Sequence, residues 1–145
     1  MIKGRVYLDA PNIVFGDNVE ISPNVHIFGP GKVIIGDNVV IGDGAVICSA
    51  EYVEIGNDVM IAAHCYIIDC NHGMRLGSPM NQQPMSIKPV CIKNDCWLGC
   101  GAAVLKGVVI GQGTVIGAHV VVSSETSKNN IVMSDQKLSY IERHV

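Results

Sequence analysis

A parallel β-solenoid is the fold class this sequence predicts, and three observations predict it. An aliphatic residue or Phe recurs at every sixth position through most of the chain. Gly often follows that residue directly, and a small or β-branched residue often sits four positions on. The period itself is even: short strands repeat their in-facing side chains by two, whereas a helix spaces them by three and four. Each six-residue unit is then a strand and a turn. Stacked units pair in parallel and bury the aliphatic column as one continuous core.

The elements follow in chain order. Phe15, Ile21 and Ile27 set the first register; it resumes at Ile35, Ile41 and Ile47, and again at Ile55, Ile61 and Ile67. A longer run takes in Ile92, Leu98, Val104, Ile110, Ile116 and Val122. None of these positions is polar, so chance periodicity in a generic β domain carries little weight. The small-residue column comprises Val19, Val25, Val39, Ala45, Val59, Ala102, Val108, Thr114 and Val120. Gly-Asp-Asn at 16–18 and 36–38 supplies turn residues that tolerate positive φ. Phe15, Ile35 and Ile55 are 20 residues apart, two more than three hexads need. Two extra residues are therefore expected at a corner near Gly29–Lys32 and near Ala50–Glu54.

The repeat stops between about Gly73 and Val90, where Pro79, Pro84, Pro89 and three methionines fall. This reads as a protruding loop, and long loops on rigid scaffolds usually carry function. One domain is expected: a solenoid core over about 13–123, the loop at 73–90 and a tail at 124–145. Solenoid ends need caps. Residues 1–14 and the tail from Gln136 to Val145 are the candidates, and Leu138, Tyr140 and Ile141 suggest a short packed helix there.

Composition narrows the function classes. The chain is 48% hydrophobic and 16% charged with 16 glycines, which favours a folded body with many tight turns. A net charge of −3 offers no nucleic-acid footprint. No run of 18 apolar residues and no apolar leader segment is present, so a soluble cytoplasmic protein without membrane insertion is expected. The six cysteines form no Cys-x-x-Cys pair. Neither a disulfide framework nor a structural zinc site is expected, and most are read as small buried or turn residues.

These features resemble the hexapeptide-repeat acyltransferase family, from about residue 13 to 123. The resemblance implies a single-stranded left-handed parallel β-helix with three hexads per triangular coil. The handedness comes from the family alone, since parallel crossovers are normally right-handed. The segment Asp69-Cys-Asn-His-Gly73, the Pro-rich loop and Ile92-Lys-Asn-Asp-Cys-Trp-Leu-Gly99 sharpen it. They are similar to the maltose, galactoside and polysaccharide O-acetyltransferase branch, and the Asp-x-Asn-His-Gly form favours capsular or lipopolysaccharide sugars. In that branch the His before the loop is the catalytic base, which implies His72. A sugar hydroxyl is a weak nucleophile, and a neutral imidazole can take its proton as it attacks a thioester. Asp69, nearest in sequence, is the candidate to orient the ring.

The same resemblance implies a substrate contact for Trp97, the only tryptophan, whose indole offers a flat apolar face. Asn71 and His64 are further substrate candidates; the bland alternative for His64 is a solvent-facing corner residue. The galactoside contacts fall on Gly42 and Ala50, which carry no polar side chain, so a galactoside acceptor is disfavoured and Asp43 and Glu51 are the nearby replacements. Acetyl-CoA is the implied cosubstrate, held along a groove by Cys100, Gly101, Ala118, Ser123 and Ser124, with no metal. The Ser-Ser-Glu-Thr-Ser-Lys segment after Val122 departs from the usual family ending. A homotrimer with sites between subunits is also implied. Rival readings are a solenoid without catalysis and a γ-type carbonic anhydrase; the latter needs a closely spaced His pair, and no His-x4-His occurs. A nucleotidyltransferase or a serine acetyltransferase would need a further domain.

Overall fold

The computed structural model describes residues 1–135; the helix expected near the C-terminus lies outside the described residues. The chain winds as a left-handed parallel β-helix with three faces. Face one stacks Tyr7–Asp9, His26–Phe28, Val46–Cys48, Tyr66–Ile68, Ala103–Val104 and Val121–Val122. Face two stacks Asn12–Phe15, Lys32–Ile35, Tyr52–Ile55, Val90–Ile92 and Val109–Ile110. Face three stacks Glu20–Ile21, Val40–Ile41, Met60–Ile61, Trp97–Leu98, Val115–Ile116 and Ile131–Val132.

The six-residue period becomes vertical alignment. On face one Ile27 pairs with Ile47, Ile47 with Ile67, and Ile67 with Val104. The other faces align Ile35 with Ile55 and Ile41 with Ile61 in the same way. These side chains meet inside the triangular coil and are almost wholly buried, each burial stabilising by about 1.5–3 kcal/mol. Phe15 is the exception, at 38% exposed, because no complete coil lies beneath it. The small-residue column is buried too, and Cys65 and Cys96 fill two further places in it. Thr114, its one hydroxyl, donates to the Ser127 carbonyl at 2.9 Å.

One expectation is met and one needs correction. The extra residues of the early coils sit at the corner between faces one and two: the inward residues Ile27 and Val33 are six positions apart where Val104 and Val108 are four, and Val33 still pairs with Val53 and Val53 with Val90. Within Gly-Asp-Asn the positive φ belongs to Asn18 and Asn38, at 56° and 57°, and not to the glycines. Gly36 is required for space instead: a Cβ there would lie 2.3 Å from Asn57 Oδ1 of the next coil.

The loop leaves the corner between faces one and two. Cys70–Asn71 pairs antiparallel with Ser86–Ile87, and a 3-10 turn spans Met80–Gln82. The Lys88 amide donates to the Asp69 carbonyl at 2.9 Å, so the two ends of the excursion meet. Among the described residues no helix is long and apolar enough to cross a membrane.

Candidate active site

Asp69 begins the site and serves the scaffold. It is fully buried, and one carboxylate oxygen accepts from the Ala50 amide at 2.7 Å. The other accepts from the Glu51 and Tyr52 amides, both at 2.8 Å, with the Ser49 hydroxyl at 3.4 Å. Charge-assisted bonds of this kind are the strong ones, and here they fix the turn of the coil below. The expected role of orienting His72 is therefore not what the structure shows. Both oxygens are engaged by that turn, and no Asp69–His72 hydrogen bond forms. Sequence proximity misled because residue 69 still belongs to the coil, whereas residue 72 already belongs to the hairpin.

His72 follows the hairpin's first strand and is exposed. It lies where two clefts meet. One, of about 610 Å3, is an open cleft along the loop, lined by Met74, Arg75, Ser78, Met85 and Ser86 with His72. The other, of about 500 Å3, lies against face one and is lined by Tyr66, Ile68, Asn71, Met80 and Leu105 with His72. The imidazole thus stands between a loop-built cleft and an apolar wall, reachable from either side. Gln83 steadies the loop: its Oε1 accepts from the Arg75 amide, and its Nε2 donates to the Arg75 and Ser78 carbonyls, all at 2.8 Å.

The thiols nearby are poor nucleophiles. Burial pushes the Cys48 thiol up to about 11, helped by Cys70 and the Asp69 charge. Cys70 lines the wall and is also raised, by burial first and then by Asp69. Thiolate is the reactive form, so neither is primed for covalent catalysis. Burial raises the Tyr66 phenol as well, leaving it a hydrogen-bond donor on the wall.

The remaining candidates fall into two corners. Asn71 joins His72 in the second cleft. Glu51 sits one coil below, its amide on Asp69. Ser123 and Ser124 follow Val121–Val122 at this same corner between faces one and two. The corner between faces three and one holds the others. There the His64 amide donates to the Asp43 carbonyl, Gly101 to Ala63, and His119 to Cys100, each at 2.9 Å. Ala118 occupies the coil of His119. Trp97 is 48% exposed on the strand leading into this corner, between Met60 and Val115. His64 has φ 58°, and its Nδ1 would lie 2.5 Å from a Cβ on Gly44. It is a left-handed corner residue covering the glycine below. One chain therefore brings His72, Asn71, Glu51, Ser123 and Ser124 to one edge of face one. Trp97, His64, Asp43, Cys100, Gly101 and Ala118 lie at the opposite edge.

Sequence reasoning missed Tyr66, Arg75, Gln83 and Leu105. Tyr66 carried a signal: alternation between inward Cys65 and Ile67 points it outward on the strand leading to His72. Gln83 carried none, since its partners are backbone atoms of a loop without periodicity. Among the described residues no three His, Cys, Asp or Glu side chains are grouped to hold a metal.

Comparison with known proteins bears on this arrangement. Residues 92–124 match the bacterial transferase hexapeptide family of six repeats. The chain is 34% identical over 128 residues to WbbJ of Escherichia coli, assigned as a lipopolysaccharide biosynthesis O-acetyl transferase; the match covers 83% of this chain and 55% of WbbJ. It is 29% identical to WcaF of the same organism, assigned as a colanic acid biosynthesis acetyltransferase, over 88% of this chain and 68% of WcaF. Among solved structures it superposes on AntD, an N-acyltransferase from Bacillus cereus in complex with dTDP-4-amino-4,6-dideoxyglucose and coenzyme A. The TM-score is 0.72 at 19% identity, over 98% of this chain and 84% of AntD, a likeness of fold.

Proposed function

Because the chain belongs to the hexapeptide-repeat proteins, we propose that it is an acetyl-CoA-dependent O-acetyltransferase acting on a sugar hydroxyl, with His72 as general base. The observation that carries the reading is the exposed imidazole between two clefts on a clamped hairpin, since a general base must be reachable by the proton it removes. The names of WbbJ and WcaF support acetyl transfer to surface saccharides of the lipopolysaccharide or capsular kind. The coenzyme A and the nucleotide-linked sugar held by AntD support the two substrate classes. The reading includes a cytoplasmic location, where acyl-CoA is made.

In this mechanism the acceptor oxygen attacks the thioester carbonyl while His72 Nδ1 or Nε2 takes its proton. The tetrahedral intermediate collapses, the C–S bond breaks with its electron pair on sulfur, and the proton passes from the imidazolium to the departing thiolate. The products are the sugar ester and coenzyme A. The raised pKa values of Cys48 and Cys70 favour this direct transfer over an acyl-cysteine intermediate. Asp69 holds the hairpin in place from below. Asn71, Glu51, Asp43 and His64 are the polar groups available to the acceptor.

The two-corner distribution favours sites shared between subunits of a homotrimer. In that arrangement His72, Ser123 and Ser124 of one subunit face the small residues Cys100, Gly101 and Ala118 and the Trp97 indole of the next. The thioester then reaches the imidazole along the groove between them.

The test is coenzyme A release from acetyl-CoA across a panel of sugar acceptors, for the wild type and His72→Ala. A fall of about a hundredfold or more is expected for loss of a general base. Acceptor-dependent turnover surviving within a few-fold would remove His72 from the chemistry. A wild type that neither turns over nor binds acetyl-CoA would leave a solenoid without catalysis.

A further inference from the structure

We propose that Arg75 binds an anionic group, a phosphate or a carboxylate, on the saccharide acceptor and so holds the acceptor beside His72. This rests on the transferase reading above and adds the acceptor's charge class to it. Arg75 lines the loop-built cleft together with His72, and it is the one permanently charged side chain there. No Asp or Glu occurs between Cys70 and Ile92, although acidic residues outnumber basic ones in the chain, 13 to 10. The ion pairs among the described residues are Lys3–Glu20 and His26–Asp9, so none of the carboxylates among those residues pairs with Arg75.

Its starting point is fixed. The Gln83 amide brackets the Arg75 backbone from both sides at 2.8 Å, and a Cβ on Gly73 would lie 2.7 Å from the Gln83 Cβ. A guanidinium on a held backbone has less freedom to lose on binding. Its planar fork matches the paired oxygens of phosphate or carboxylate. Met74, Leu76 and Met85 add apolar lining to the cleft, and the Ser78 and Ser86 hydroxyls can donate to the same anion.

The test separates binding from transfer. Glucose, glucose 1-phosphate and glucuronate are titrated into the isotope-labelled protein by NMR, for the wild type, Arg75→Gln, Arg75→Lys and His72→Ala. The expected result is shifts at residues 73–86 and affinity at least about tenfold tighter for one or both anionic sugars than for glucose. Arg75→Gln loses that preference, Arg75→Lys keeps part of it, His72→Ala keeps all of it, and added salt weakens it. Which anion binds distinguishes a phosphorylated acceptor from an acidic sugar. Equal binding of the three sugars, or no binding of any, overturns the proposal. So does an Arg75→Gln effect confined to the KM for acetyl-CoA, which would assign the cation to the donor. Transfer that needs His72 but ignores Arg75 would leave the transferase reading standing alone. Arg75-dependent binding without any transfer would do the reverse.

Discussion

Asp69 shows how much a residue's neighbours, and not its sequence distance, decide its role. Three backbone amides and a hydroxyl converge on its buried carboxylate. Replacing it with Ala removes the carboxylate from three part-buried amides at once, and each buried group left unpaired costs about 1–3 kcal/mol. We expect Asp69→Ala to lower stability by about 3 kcal/mol or more, measured by urea unfolding. A role confined to orienting His72 would instead leave stability unchanged and reduce turnover alone. The same scale shows what could be read in advance. The proposal for His72 could start from the sequence because its neighbours Asn71 and Gly73 and the following prolines form a linear pattern. The partners of Asp69 were not, because residues 50–52 meet it only after the chain has gone once round the coil.

At the scale of the element, the hairpin is an excursion from a closed corner. Asp69 and Lys88 are bonded across its base, and the coil resumes with Val90 paired to Val53 in register. Replacing residues 73–86 with a short turn should therefore leave the parallel coils intact. We expect a far-UV circular dichroism spectrum close to the wild type and loss of transfer to any sugar, because the cleft beside His72 is gone. A chain that unfolds on this change would show that the loop supports the core. The fifteen-position repeat made the faces readable, since every aliphatic in it points the same way once the period is known. The inside of the loop was not readable, for the Gln83 clamp uses carbonyls and an amide that leave no mark on side-chain pattern.

At the scale of the whole molecule, the proposed site divides between two edges of face one, and the division is testable without a structure of the assembly. His72→Ala spoils one edge and Ala118→Trp the other. Mixed assemblies of the two inactive variants place some intact edges against each other. Random mixing in a cyclic trimer should restore about a quarter of wild-type coenzyme A release. No recovery, with mixed assembly confirmed by tagged copurification, would confine the site to one chain.

One corner has a consequence for how such a protein changes over generations. The Asp17 amide is held by Asp37, that of Asp37 by Asn57, and that of Asn57 by Asn94, each partner one coil further along. Every rung copies the one before it, so the molecule measures its own length in coils. A duplication or loss of one full coil presents each rung with an equivalent partner. A gain of a single residue within a coil turns aliphatics outward and breaks the ladder. Evolution can lengthen this stack by whole coils, or by paired residues at a corner as in the 20-residue early coils, and larger novelties go into excursions outside it.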